Sequence, residues 1–136
     1  MLNSKVEGIV AEGELLAVVV RHDFDAKGLS FVTPNDFPFQ LGIHISEAGT
    51  HVKPHRHVPF KELKNLAPQE FFYIESGKVE VGIYRKNLIY KKIILNKGDM
   101  IVLNCAHEVK FLEDSKLAEL KQGPYRGKDA EKEYID

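Results

Sequence analysis

Residues 49–57 read GTHVKPHRH, and residues 70–77 read EFFYIESG. His55 and His57 stand two positions apart, and alternate residues of a strand point to the same face. If that face is the interior of a barrel, the two imidazoles converge, and burying them without partners is costly. A divalent metal offsets that cost by taking the neutral nitrogens as ligands. The competing interpretation is an H-x-H pair on a surface strand, which carries no function.

The composition is that of one globular domain spanning residues 1–136. Hydrophobic residues make up 43% of the chain and charged residues 29%, which is typical of a folded protein. The net charge of −1 argues against a strongly electrostatic nucleic-acid binder. A single cysteine, Cys105, excludes an internal disulfide and a multi-cysteine metal cluster.

Membrane and export signals are not evident in the sequence. The longest apolar run, LLAVVV at 15–20, is far too short to span a bilayer. The first residues, MLNSKVEGIVAEGE, do not show the basic start and apolar stretch of a signal peptide. We therefore expect no membrane partner and a cytoplasmic location.

The hydrophobic pattern is mostly that of strands. Short segments rich in β-branched and aromatic residues recur at roughly ten-residue spacing and are separated by turn signals, which indicates an all-β barrel or sandwich. A strand is also favoured at 116–122, although a helix is the alternative there, and the tail at about 123–136 is polar. The predicted strands lie at 15–23, 37–49, 70–77, 78–84, 88–95, 100–104, 107–113 and 116–122.

The two opening stretches resemble the first motif of the cupin superfamily. Five residues separate Gly49 from His55, and six separate Glu70 from Gly77, as in that motif. The departure is a segment of twelve residues, 58–69, where three or four are usual. This segment is predicted to be either a short helix or a loop at the barrel rim. Three roles are open for it: it shapes substrate access, it is a family-specific insertion without a role in the site, or it contacts a second copy of the chain.

The second cupin motif is matched more loosely by GDMIVLNCAHEV, which begins at Gly98. Asn104 stands where proline is usual, Ala106 stands where glycine is usual, and His107 follows Gly98 by nine residues rather than eleven. More distantly, HVKPHRH and ELKQGPYRG resemble small, uncharacterised bacterial single-domain cupins.

The resemblance implies a cupin-type double-stranded β-helix, or jelly-roll barrel, with its core at about 38–113. It also implies one divalent transition metal, Zn, Fe, Mn or Ni, bound by His55, His57, Glu70 and His107. Cys105 shares a strand face with His107 and is either a small core residue or a neighbour of the metal. Phe72, Val81, Leu103 and Phe111 are expected to wall a small cavity, with Tyr73 facing away from it.

A cupin metal site is compatible with several functions. The first hypothesis is a metal-dependent enzyme acting on a small organic or sugar-like molecule, for which His51 and Lys53 are weak candidates as a general base. The alternatives are a non-catalytic module that binds a small ligand or metal, and a structural barrel without metal. We also expect a homodimer, with the strand at 15–20 contributing an edge.

Overall fold

The computed structural model describes residues 5–62, 64, 66–124 and 126–135, and the backbone but not the side chain of Lys128. The described chain forms ten strands and one short helix. The strands are β1 (Val6–Ala11), β2 (Glu14–Val20), β3 (Gly28–Phe31), β4 (Gly42–Ile45), β5 (Glu70–Ser76), β6 (Lys78–Arg85), β7 (Leu88–Asn96), β8 (Met100–Leu103), β9 (His107–Phe111) and β10 (Lys116–Lys121). The prediction of an all-β fold is confirmed.

The chain divides into two compact units. The first contains residues 1–24 and 68–136, and the second contains residues 25–67. The expectation of a single domain stays a prediction. Each unit is described by itself below.

The first unit contains two antiparallel sheets. One has five strands in the order β1-β2-β8-β5-β10, and the other has three in the order β7-β6-β9. Apolar side chains from both sheets meet in one core, which includes Leu16, Phe72, Val81 and Ile101. The predicted strand at 116–122 is confirmed, because β10 pairs along β5.

Strand β2 is an interior strand of the five-stranded sheet and not one of its edge strands. Val18, Val19 and Val20 are fully buried, and β2 pairs with β1 on one side and β8 on the other. The run LLAVVV is apolar at every position because both faces of the strand are covered. The expectation that the strand at 15–20 supplies a dimer edge is therefore wrong.

The second unit contains the hairpin of β3 and β4. Of the predicted strand at 37–49, only residues 42–45 are extended and paired. His55 and His57 lie outside any strand, since residues 51–60 form no helix or strand. Pro54 and Pro59 interrupt this stretch and each lacks the backbone N–H that a ladder requires.

The segment at 58–69 contains no helix among its described residues, so the short-helix alternative does not apply to them, and the position at a barrel rim stays a prediction. Leu63 and Asn65 lie outside the described residues. After β10 the chain ends in a short helix, α1 (Lys128–Glu131). In the part of the chain that the structure describes, no helix is long and apolar enough to cross a membrane.

Candidate metal centre

Two of the four predicted ligands, Glu70 and His107, meet in the first unit. Glu70 is the first residue of β5 and His107 the first of β9, so they come from different sheets. The Nε2 atom of His107 lies 3.5 Å from Oε1 of Glu70. Their side chains are 20% and 23% exposed, which leaves the pair shielded but reachable from solvent.

The passage from β8 to β9 places His107 beside Glu70. Leu103, the last residue of β8, is the register partner of Glu70. The next residue, Asn104, donates its backbone N–H to the carbonyl of Leu16 at 2.9 Å and accepts a hydrogen bond from the Gln69 side chain at 3.1 Å. The carbonyl of Ala106 accepts a hydrogen bond from the backbone of β6. These bonds fix the three residues that carry the chain between the sheets.

The His107 ring is held by two contacts. Its Nδ1 atom lies 2.9 Å from the carbonyl oxygen of Cys105, and its ring packs edge-on against Phe72 with centroids 5.8 Å apart. A carbonyl oxygen can only accept a hydrogen bond, so Nδ1 carries the proton. The other nitrogen, Nε2, is the one turned toward Glu70.

Charge and burial act in opposite directions on this pair. Burial is the largest single influence on the pKa of His107 and lowers it, but the hydrogen bonds to Glu70 and to the Cys105 carbonyl, together with the negative charges of Glu70 and Glu119, outweigh burial, and the pKa is raised. The hydrogen bond from His107 is the main reason that the pKa of Glu70 is lowered, against the opposing effect of burial. Glu70 is therefore a carboxylate at neutral pH.

A third group, Glu119, was not found by sequence reasoning. It lies on β10, and its carboxyl group is close enough to that of Glu70 for each to influence the pKa of the other. Burial, followed by the negative charge of Glu70, raises the pKa of Glu119. No sequence signal could have found it, because the pairing of β10 with β5 is a long-range feature of the fold.

A cleft of about 570 Å³ opens over these side chains. Phe72 lines it as predicted, and Tyr73 lies on the opposite, more exposed face of β5. Val81 and Phe111 do not line it: Val81 is fully buried in the core, whereas Phe111 is 58% exposed. Leu103 borders a smaller neighbouring cleft of about 60 Å³.

The other two predicted ligands, His55 and His57, lie in the second unit. Both are exposed, and their ring centroids are 5.2 Å apart in an edge-to-face arrangement. The Nδ1 atom of His55 lies 2.8 Å from the carbonyl oxygen of Lys53. His51 and Lys53 are exposed as well.

The remaining candidate, Cys105, is partly buried and packs against the core. Burial is the main reason that the pKa of its thiol is raised to about 11. Since the thiolate is the form that binds metals, this environment favours the interpretation of Cys105 as a small core residue.

The structure brings the predicted ligands together as two pairs, one in each unit. Among the described residues, no group of three or more His, Cys, Asp or Glu side chains is arranged to hold a metal ion. The donor atoms themselves suit a transition metal, because imidazole nitrogen and carboxylate oxygen are ligands for Zn, Fe, Mn and Ni.

Comparison with known proteins gave no match: no family model, no curated protein and no solved structure is similar to this chain at a significant level.

Proposed function

We propose that the protein is a cupin-type jelly roll that binds one divalent transition metal, Zn, Fe, Mn or Ni, and acts as a metal-dependent enzyme on a small organic or sugar-like molecule. The proposed ligands are His55, His57, Glu70 and His107. A cytoplasmic location and a homodimer belong to the same proposal. Antiparallel strands in two sheets around one core support the jelly-roll part of it.

The observation that carries the proposal is shared by two of the histidines. His55 and His107 each direct Nδ1 at the backbone carbonyl two residues earlier, at 2.8 Å and 2.9 Å. A backbone carbonyl on one ring nitrogen fixes the tautomer and leaves the other nitrogen to bind an ion, which is the usual outer support of a metal-ligating histidine. The same local device therefore occurs in both cupin-like motifs, fifty-two residues apart.

Glu70 supports the proposal through its charge. Glu70 is ionised at neutral pH, because the hydrogen bond from His107 lowers its pKa. Its carboxylate oxygen and the Nε2 atom of His107 are two potential metal ligands that lie side by side in the cleft. The assignment of His55 and His57 to the same ion comes from the spacing of the motif. It stays a prediction for each of these two residues.

A bound metal of this class supplies either Lewis acidity toward a carbonyl or sugar oxygen, or redox chemistry with oxygen. The chain itself would contribute three things. Glu70 holds negative charge at the site, Phe72 gives the cleft an apolar wall beside His107, and Glu119 places a second carboxyl group against Glu70.

A non-catalytic binding module is the second candidate. It is favoured by two carboxyl groups of the cleft that already have partners: Glu70 lies 3.5 Å from His107, and Glu131 accepts hydrogen bonds from Arg126. A general base that must take a proton from a substrate is normally less committed to such partners.

Metal binding is tested by calorimetric titration of the chelator-treated protein with Zn²⁺ and with Co²⁺. We expect one ion per chain, and we expect H107A, H55A and H57A each to weaken binding by about 10-fold to 100-fold or more, since changes even to outer-shell partners have effects of that size. H44A is the matched control, because His44 is exposed on β4 and lies outside both motifs.

The titration separates parts of the proposal. If H107A binds as tightly as the unaltered protein, the proposed site is wrong. If H107A weakens binding but H55A and H57A do not, the ion belongs to the Glu70–His107 pair alone, and the cupin ligand set is wrong. Equal weakening by H44A would mean that binding is a non-specific property of surface histidines.

A further inference from the structure

The end of the chain lies over the Glu70–His107 pair. Residues 131–135 line the larger cleft together with Glu70 and His107. The smaller cleft is bordered by the same pair and again by Glu131 and Lys132. Both clefts share these four residues, so the chain at Glu131–Lys132 borders both clefts beside the pair.

A clasp between Arg126 and Glu131 joins the two ends of the turn that leads into this segment. The carboxylate of Glu131 accepts hydrogen bonds from the backbone N–H of Arg126 at 2.6 Å and from Nη2 of Arg126 at 3.3 Å. The Glu131 side chain is only 8% exposed, whereas that of Arg126 is 53% exposed. The clasp closes a loop of six residues, and its open side faces solvent.

The loop closed by the clasp contains a glycine in the left-handed region and a short helix. Gly127 has a φ of 97°, which glycine adopts without strain, and a Cβ atom there would meet no atom within 4 Å. The helix that follows has four residues and no side-chain cap. Beyond it, Tyr134 is 83% exposed and Ile135 is 36% exposed. A four-residue helix without a side-chain cap, followed by exposed residues, is typical of a segment of low local stability.

We propose that residues 127–135 form a strap that lies along the Glu70–His107 cleft and pivots at Gly127, and that it opens when the Arg126–Glu131 clasp, which spans this hinge, is released, so that the strap controls access to His107. This inference goes beyond the proposed metal function and does not require it. Gly127 is the hinge, and the clasp sets the fraction of molecules that are open. Straps and lids of this kind gate the entry of ligands by shifting that fraction.

The test measures the access of a small reagent to His107. Full-length protein is treated with diethyl pyrocarbonate at about pH 8, where an ordinary imidazole is neutral, in the presence of a chelator. The rate at each histidine is read by peptide mass spectrometry. His22 is the internal reference, because its side chain is 64% exposed and it does not line the cleft.

We expect E131A to raise the rate at His107 by about threefold to fivefold, since it removes both bonds of a partly exposed clasp. R126A leaves the backbone N–H bond in place, and E131Q keeps an oxygen acceptor for it, so each should give a smaller rise. K116A is the matched control: it removes an exposed ion pair to Glu75, at 3.2 Å, away from the cleft, and should change nothing.

Salt gives a second measurement on the same protein. Raising the ionic strength should increase the His107 rate in the unaltered chain, because an exposed ion pair is screened, and should have little effect in E131A. An unchanged His107 rate in E131A would overturn the proposal. A rise of equal size at His107 and His22 would also overturn it, since that result means general loosening of the fold. Metal binding by the E131A protein is measured in a separate titration. The strap proposal and the proposed metal function can therefore fail independently of each other.

Discussion

At the scale of single residues, the motif identified Glu70 and His107 although they stand thirty-seven positions apart. The second motif is two residues short, yet its histidine faces the first motif's carboxylate at 3.5 Å. The resemblance to the cupin motifs could point to both residues, because each lies at the start of a strand whose sequence matches one of those motifs. Glu119 could not be found in the same way. Its place beside Glu70 depends on strand pairing, which no local pattern encodes.

The Glu70–His107 pair should be visible in the titration of the metal-free protein. Nuclear magnetic resonance of the His107 ring should give a pKa above the ordinary value of 6.5, and E70Q should lower it, because the carboxylate is a main cause of the rise. H44A, as a control, should leave the His107 titration unchanged. A His107 pKa that E70Q does not alter would contradict the geometry described for the pair.

The same pair predicts how stability depends on pH. The raised pKa of His107 gives stability that is fully present below the ordinary value of 6.5 and is lost as pH rises through the raised pKa. The lowered pKa of Glu70 gives stability that is present above its ordinary value of 4.5 and is lost as pH falls through the lowered pKa. The loss of stability in E70Q, measured by denaturant unfolding, should therefore be largest between about pH 4.5 and 6.5 and should shrink on both sides.

At the scale of elements, the sequence predicted strands well where apolar and polar residues alternate or where apolar residues run continuously. Strands β5 to β10 lie within or close to their predicted ranges. The strand assumed in the argument for His55 and His57 is not formed, because alternation of histidines with other polar residues is not the alternation of a buried and an exposed face. A strand needs a pairing partner and a buried face, and the exposed stretch around Pro54 has neither among the described residues.

Gly77, the last residue of the first motif, is a structural requirement of these elements. It has a φ of 88° and carries the chain from β5 in one sheet to β6 in the other. A Cβ atom there would collide with Ser115 Oγ and would lie 2.5 Å from the backbone oxygen of Asp114. The role of this motif glycine is therefore to let two chain segments approach, whatever the site binds.

We expect G77A to lower the free energy of unfolding by at least about 2 kcal/mol, from backbone strain and a clash with backbone atoms. Gly13 is the matched control, since it has a φ of 78° but open space around it. G13A should cost only about 1 kcal/mol, the strain alone. Equal losses for the two variants in urea unfolding would mean that the close approach at Gly77 relaxes without cost.

At the scale of the whole molecule, the recurring pattern of short apolar segments and turns predicted an all-β protein but not its division into two units. Residues 25–67 form a unit of their own around one hairpin, and the motif is split across the boundary, with His55 and His57 in one unit and Glu70 in the other. The chain rejoins the first unit at residue 68, and no feature of the local sequence predicts this. The position of β2 was misjudged for a related reason: an apolar run marks a strand covered on both faces, not an edge.

The homodimer stays a prediction, and light scattering distinguishes it from a chain of 15.5 kDa.

The most direct measurement of the central claim is anomalous diffraction at the metal edge from crystals of the protein loaded with Zn²⁺ or Co²⁺. The account predicts one peak per chain, within about 2.0–2.2 Å of His107 Nε2 and of a Glu70 oxygen, with His55 and His57 completing the ligand set. A peak bound only by surface histidines such as His22 or His44, or no peak at His107 in a fully loaded crystal, would contradict it.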